Sequence, residues 1–271
     1  MPQIEIVEQY IKGKRKDESL NEDGLIITDR YIAVIDGASS ASKFDGISGG
    51  LIAKNVLKNG INNLESFTNG YEAINKLNQL LFLAQKGYPE SRFDPRKRMM
   101  ASLIIYSIEN REVWGYGDCK CLINGKEYQF DKKIDGINAE VRSFVNSIEL
   151  EKGVSYSELL DNDVGAKMIA EIILSQPYLA NKDVEYGYPI LDGFQLCESL
   201  YFEKKVQVGD EIVLATDGYP KIFNSLKKSE EYLSSVLKKD QLCIKENKSV
   251  KGFYKGLNSF DDRSYIRFKV L

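Results

Sequence analysis

Twice along this chain a run of strand-forming apolar residues stops abruptly at Asp-Gly. In residues 31–40, Tyr31, Ile32, Ala33, Val34 and Ile35 lead into Asp36 and Gly37; in residues 209–218, Ile212, Val213, Leu214 and Ala215 lead through Thr216 to Asp217 and Gly218. A buried strand fixes its own backbone, so an Asp at its mouth is held rigidly and still reaches solvent. That is the position a metal ligand needs. Two such strand ends, far apart in sequence, can meet in space.

Composition narrows the chemistry. The 271 residues contain no histidine, which removes Ser-His-Asp and Cys-His catalysis, His-containing zinc sites and the usual general acid/base. Any chemistry rests on carboxylates, amines, thiols or hydroxyls. The net charge of −3, from 37 basic and 40 acidic residues, gives no strong field toward nucleic acid or an anionic membrane. With 43% hydrophobic residues the length suits one large domain, taken as residues 1–271, in preference to two small ones. Of the four cysteines only Cys119 and Cys121 are close together, and no second pair completes a zinc ribbon, so they read as reduced, mostly buried thiols. The N-terminal residues lack a basic segment followed by an apolar one, and no uncharged apolar stretch reaches membrane-spanning length, which predicts a cytoplasmic protein.

Taken in order, residues 3–11 alternate as a strand, and a charged loop over residues 12–18 leads to the turn Asn21, Glu22, Asp23, Gly24. That turn lies one short hairpin upstream of Asp36, so its acids can overhang the same sheet end. After a loop of small residues, 38–42, helical spacing predicts amphipathic helices over about 46–59 and 70–86, forming a layer on one sheet face. A loop with two prolines and four basic residues then enters the apolar run 99–107. Strands 112–117, ending at Asp118, and 119–123 and 126–130, joined by Asn124-Gly125, read as an antiparallel meander. The pattern turns helical over about 134–175, with polar residues 151–163 as a surface loop or flap. Short strands are expected at 187–193 and 200–206, a helix near 228–239, and a final strand over 265–270 preceded by Asp261 and Asp262.

The acids beside strand ends are thus Glu22, Asp23, Asp36, Asp118, Asp217 and Asp261 or Asp262. Carboxylates gathered without basic partners repel one another, so a fold that gathers them must neutralise them with cations. Hard oxygen donors without histidine suit Mg²⁺ or Mn²⁺. In this order, Asn21-Glu22-Asp23, Val34-Ile35-Asp36-Gly37, Gly117-Asp118, Leu214-Ala215-Thr216-Asp217-Gly218 and Asp261-Asp262-Arg263-Ser264 resemble the metal-binding motifs of the type 2C protein serine/threonine phosphatases, in a divergent, bacterial-type form. The resemblance runs from about residue 4 to 270. It implies an α+β fold, a four-layer α/β/β/α sandwich of two antiparallel β-sheets flanked by helices, with a metal cleft at one end.

The same resemblance implies that Asp36 bridges two Mn²⁺ or Mg²⁺ ions and that the Gly37 carbonyl binds one of them. Asp217 and Asp261 would hold the other, Glu22 would act through bound water, Asp23 would support that water, and Asp118 would serve a possible third ion. The implied reaction is hydrolysis of phosphoserine and phosphothreonine in a protein partner by metal-activated water. The sequence departs from the family pattern in three places. Glu18 stands where an Arg commonly grips phosphate, leaving Arg15, Lys14 or Lys16, or else Arg92, Arg96 or Arg98, to do so. Ala38 replaces the histidine that usually follows Asp-Gly. The last motif leaves the choice between Asp261 and Asp262 open. These departures motivate two rival readings, a catalytically weak regulatory module and a phosphatase of small metabolites. Nothing in the sequence fixes the oligomeric state.

Overall fold

The computed structural model describes residues 3–38, 43–128 and 132–271. In chain order these form β1 (Ile4–Lys12), β2 (Asp23–Ile27), β3 (Tyr31–Gly37), the minimal hairpin β4 (Lys43–Phe44) and β5 (Ile47–Ser48), α1 (Gly49–Asn62) and α2 (Gly70–Ala84). Next come β6 (Ala101–Ser107), β7 (Glu112–Tyr116), β8 (Lys120–Ile123), β9 (Lys126–Tyr128), α3 (Lys133–Glu151), α4 (Tyr156–Asp161) and α5 (Val164–Ser175). The chain ends with β10 (Phe202–Lys205), β11 (Glu211–Ala215), α6 (Leu226–Lys239) and β12 (Arg263–Val270).

Two antiparallel five-stranded sheets carry the architecture, one ordered β1-β12-β11-β8-β9 and the other β10-β7-β6-β3-β2. Strand alternation sorts β3 between two cores. Ile32 and Val34 join Ile104, Leu214, Ile266 and Phe268 between the sheets, while Tyr31, Ala33 and Ile35 face Leu57, Ile74 and Leu77 of α1 and α2. Asp36 continues the parity of Ile32 and Val34, so the period of two aims it at the space between the sheets. On the far side, Leu233 and Val236 of α6 cover Val213, Ala215 and Tyr265. The expected α+β sandwich of two helix-flanked sheets is therefore the observed fold.

Several local expectations change. The strands after β6 are not one meander: β7 pairs with β6 in one sheet, whereas β8 and β9 belong to the other. Gly117 makes the crossing, with φ of +128° and Ser102 so close that a Cβ would lie 2.4 Å from it. Asp118 is thereby placed at the junction of the two sheets. Residues 151–163 include α4, started by a reciprocal capping box between Ser155 and Glu158, and Leu159 is buried against Leu242 and Ile244. Residues 187–193 form no strand and make only single bridges, Ala101 with Leu191 and Ala180 with Tyr188. Residues 129 and 130 of the expected return strand, and 39–42 of the small-residue loop, lie outside the described residues. Cys119 and Cys121 are buried between the sheets and unpaired. Among the described residues no helix is long and apolar enough to cross a membrane.

The end of β3 is closed by backbone packing. A Cβ on Gly37 would sit 2.3 Å from the Gly50 carbonyl oxygen, and one on Gly50 would sit 2.7 Å from that of Gly37. Both neighbours are backbone and cannot rotate away. Gly37→Ala or Gly50→Ala should therefore cost about 1–3 kcal/mol in urea unfolding. Gly136→Ala, in α3 with open space around it, should instead stabilise by about 0.5–1 kcal/mol.

Candidate metal centre

At one end of the sheet pair Asp36, Gly37, Asp118, Asp217 and Asp261 line a single cavity of about 200 Å³. Asp36 comes from the last turn of β3, Asp118 from the crossing between sheets, Asp217 from just beyond β11 and Asp261 from just before β12. The start of α3 and the end of α5 with the residues after it supply further lining, through Lys132, Asp135, Leu174, Gln176 and Pro177. Burial, then the neighbouring Asp217, Asp23 and Asp118, push the Asp36 carboxyl well above its usual range. Burial also raises Asp217, with Asp261 and Asp118 adding to the rise and Lys251 opposing it. Two carboxyls facing one cavity are thus both pushed toward their neutral forms.

Glu22 and Asp23 stand behind this layer and do not line the cavity. Asp23 Oδ2 accepts from Thr216 Oγ1 at 2.6 Å and Ser264 Oγ at 3.1 Å, joining β2 to the exit of β11 and the start of β12. Burial pushes Asp23 well above the ordinary carboxylate range. Glu22 accepts from Ser48 Oγ, just before α1. The two consecutive acids near β12 have separate tasks. Asp262 accepts from the backbone N–H groups of Lys14 (2.7 Å) and Glu22 (3.1 Å), tying the loop after β1 and the entry of β2 to β12. Asp261 is the one at the cavity.

Two lysines hold Asp261. Lys14 Nζ lies 2.7 Å from Oδ1, and Lys251 Nζ pairs with Oδ2. Burial works to raise this carboxyl, yet the two ammonium groups hold it down at about 2. The loop after β1 explains the choice of lysine. Glu18 turns outward, bonded to Lys12 at 2.5 Å and to the Gly13 N–H at 2.9 Å, and Lys14 turns in. Arg15 is exposed, with its carbonyl accepting from Asn258, and does not line the cavity. Arg98 is also elsewhere, bonded to Asp192 at 2.8 Å with its guanidinium 3.8 Å from the centre of the Phe194 ring. Of the arginines expected to grip phosphate, Arg15 and Arg98 thus do not line the cavity, whereas Arg96 does. The basic side chains at the cavity are Arg96, Lys132 and Lys251.

Lys132, Lys251 and Asp135 gave no sequence signal. Each lies outside the strand-end pattern and reads like any solvated charge, and only the path of α3 and of residues 240–254 brings them in.

Among the described residues, no three acids close around one point as a ready cage for a metal ion. Ammonium groups occupy both oxygens of Asp261. On the Asp36 side the donor chemistry fits a hard divalent cation, because Asp36 and Asp217 are two partly exposed carboxyls on the cavity with Asp118 and Gly37 beside them. Asp118, held by Ser102 Oγ at 2.5 Å, completes that oxygen-rich side. Asp261, as it stands, does not fit.

The serine/threonine phosphatase PstP/Ppp of Mycobacterium tuberculosis superposes on this chain with a TM-score of 0.52 at 12% identity, covering 99% of each chain. The fold is that of the type 2C phosphatases. The catalytic domain of PstP in complex with two manganese ions gives a TM-score of 0.50 at 14% identity over 99% of this chain and 100% of that one. A bacterial serine phosphatase gives 0.50 at 13%, covering 100% and 98%. No family model and no curated protein sequence matches the chain. On this type 2C fold, the strand ends that carry Asp36 and Asp217 face one another at one end of the sheet pair.

If repulsion among these acids is the cost of the site, Asp36→Asn should raise the melting midpoint in chelator by about 2–4 °C, as about 1 kcal/mol does in a chain this size. Asp262→Ala should lower it, since two partly or wholly buried N–H groups lose their acceptor at about 1–3 kcal/mol each.

Proposed function

We propose that this protein is a metal-dependent phosphatase of phosphoserine and phosphothreonine in proteins. The observation that carries the reading is the meeting of Asp36 and Asp217, 181 positions apart, on one cavity that Asp118 and Asp261 also line. Its support from comparison is the fold shared with PstP, whose catalytic domain is known in complex with manganese.

Asp36, the Gly37 carbonyl, Asp217 and Asp118 would hold Mn²⁺ or Mg²⁺. When bound, such a cation lowers the pKa of water toward neutrality and stabilises negative charge on a phosphoryl group. The chain's own residues do the rest. Asp36 would serve as a ligand in its carboxylate form. Ser102, by donating to Asp118, fixes the orientation of that carboxylate. Asp23, locked by Thr216 and Ser264, ties β2 to the strands that carry Asp217 and Asp261. Lys132 stands on the cavity wall, paired with Asp135 at 3.1 Å, and its charge suits the phosphate of an incoming ester. The apolar lining from Met100, Leu174, Pro177 and Ile190 limits water around it.

The ammonium groups on Asp261 favour one alternative, a fold kept as a binding or regulatory module with weak catalysis. The two readings separate in assays with p-nitrophenyl phosphate and phosphopeptides. The enzyme reading expects hydrolysis that requires Mn²⁺, stops with EDTA, and falls on the order of 100- to 1000-fold in Asp36→Asn and Asp217→Asn. Absence of turnover on any phosphopeptide pool at saturating Mn²⁺ would reject it. Preference for small phosphorylated metabolites would redirect it. For the same reading, Lys132→Met should raise KM roughly 10- to 100-fold, the loss of about 1.5–3 kcal/mol for a charged hydrogen bond, with a smaller change in kcat.

A further inference from the structure

We propose that Lys251 supplies, as a built-in ammonium, the positive charge that a second divalent cation would otherwise bring to Asp261 and Asp217, so that the centre takes one metal ion. The inference rests on the metal-dependent reading above and concerns how many ions that site holds.

Lys251 lines the same cavity as Asp36, Asp217 and Asp261, and its amino group is bonded to Asp261. Asp217 and Asp36 add to the favourable field that it feels. The other oxygen of Asp261 belongs to Lys14, so the carboxylate has both oxygens engaged by protein cations before any metal arrives. A metal approaching that carboxylate meets two ammonium groups already on it, and their like charge opposes its binding.

The segment that presents Lys251 is anchored from beneath. Arg142 of α3 is fully buried and bonded to Asp163 through Nε at 2.9 Å and Nη2 at 2.5 Å. Its remaining Nη1 donates to the Ser249 carbonyl at 2.8 Å, and Ser249 Oγ in turn accepts from the Lys251 N–H at 3.2 Å. Gly252 lies against the same guanidinium, where a Cβ would come 2.6 Å from Nη2. The backbone on both sides of Lys251 is thus seated on one buried ion pair, and the ammonium position follows from that seat. Its side chain remains 42% exposed, open to the cavity and to whatever enters it.

The chemistry of the substitution is specific. An ammonium carries one charge where a divalent cation carries two, and it donates hydrogen bonds where a metal accepts lone pairs. It can neutralise Asp261 and bind a phosphate oxygen, but it cannot bring a bound water to the pKa that a metal gives.

Manganese stoichiometry tests this without reference to turnover. Full-length protein and its Lys251→Met variant are titrated with Mn²⁺ by calorimetry, and bound metal is counted by elemental analysis after desalting, with circular dichroism as the folding check. The expected result is one ion per chain in the parent and two in Lys251→Met, with Lys251→Arg retaining one. Should Lys251→Met fail to fold, Lys251→Gln takes its place with the same expectation. An equal count in the parent and the uncharged variant overturns the inference, whatever that count is. Two ions in both leaves the metal-dependent reading standing, and none in either removes that reading as well.

Discussion

Mutual repulsion among carboxylates is the constraint around which this molecule is arranged. Four chain segments, from β3, the crossing after β7, the end of β11 and the approach to β12, deliver acids to one cavity. Ionised together with no counter-charge they would oppose the contact between sheets that brings them there. Neutralisation takes two different forms. Burial and mutual repulsion push Asp36 and Asp217 toward their neutral forms, whereas Asp261 is held by Lys14 and Lys251. The first two are left for a cation to neutralise; Asp261 already has its cations.

The two sheets make the site possible by fixing strand ends on a common edge. The inter-sheet core and the helix-facing core share strands such as β3, so the alternation that buries Val34 and Ile35 on opposite faces also fixes the direction of Asp36. Close backbone approach at Gly37 and Gly50 then seats α1 against that strand end. Asp262, often indistinguishable in sequence from its neighbour Asp261, contributes by tying the loop after β1 to β12. At the outer wall the buried Arg142–Asp163 pair joins α3 to the start of α5.

Much of this was legible in the sequence. Both Asp-Gly strand ends, the helix pair after the first, the helix near residue 230 and the final strand all follow from apolar periodicity and turn residues. The order of the acidic motifs also pointed to the right fold. Less legible was anything set by long-range packing. A local pattern cannot say that the chain changes sheets at Gly117, because β7 and β8 look like successive strands whichever sheet each joins. Residues 187–193 carry strand-like residues but find only isolated bridges. The basic side chains were the hardest to read: of the candidates named, Arg15 and Arg98 lie away from the cavity while Arg96 lines it and Lys14 turns in to Asp261, and Lys132 and Lys251 carried no signal at all.

Crystals grown with Mn²⁺ and measured on either side of its absorption edge would test most directly whether the Asp36–Asp217 pair is a cation site. The account predicts an anomalous peak between those two carboxylates, beside the Gly37 carbonyl, with Lys251 still bonded to Asp261. A cavity with no such peak at saturating Mn²⁺ would contradict it.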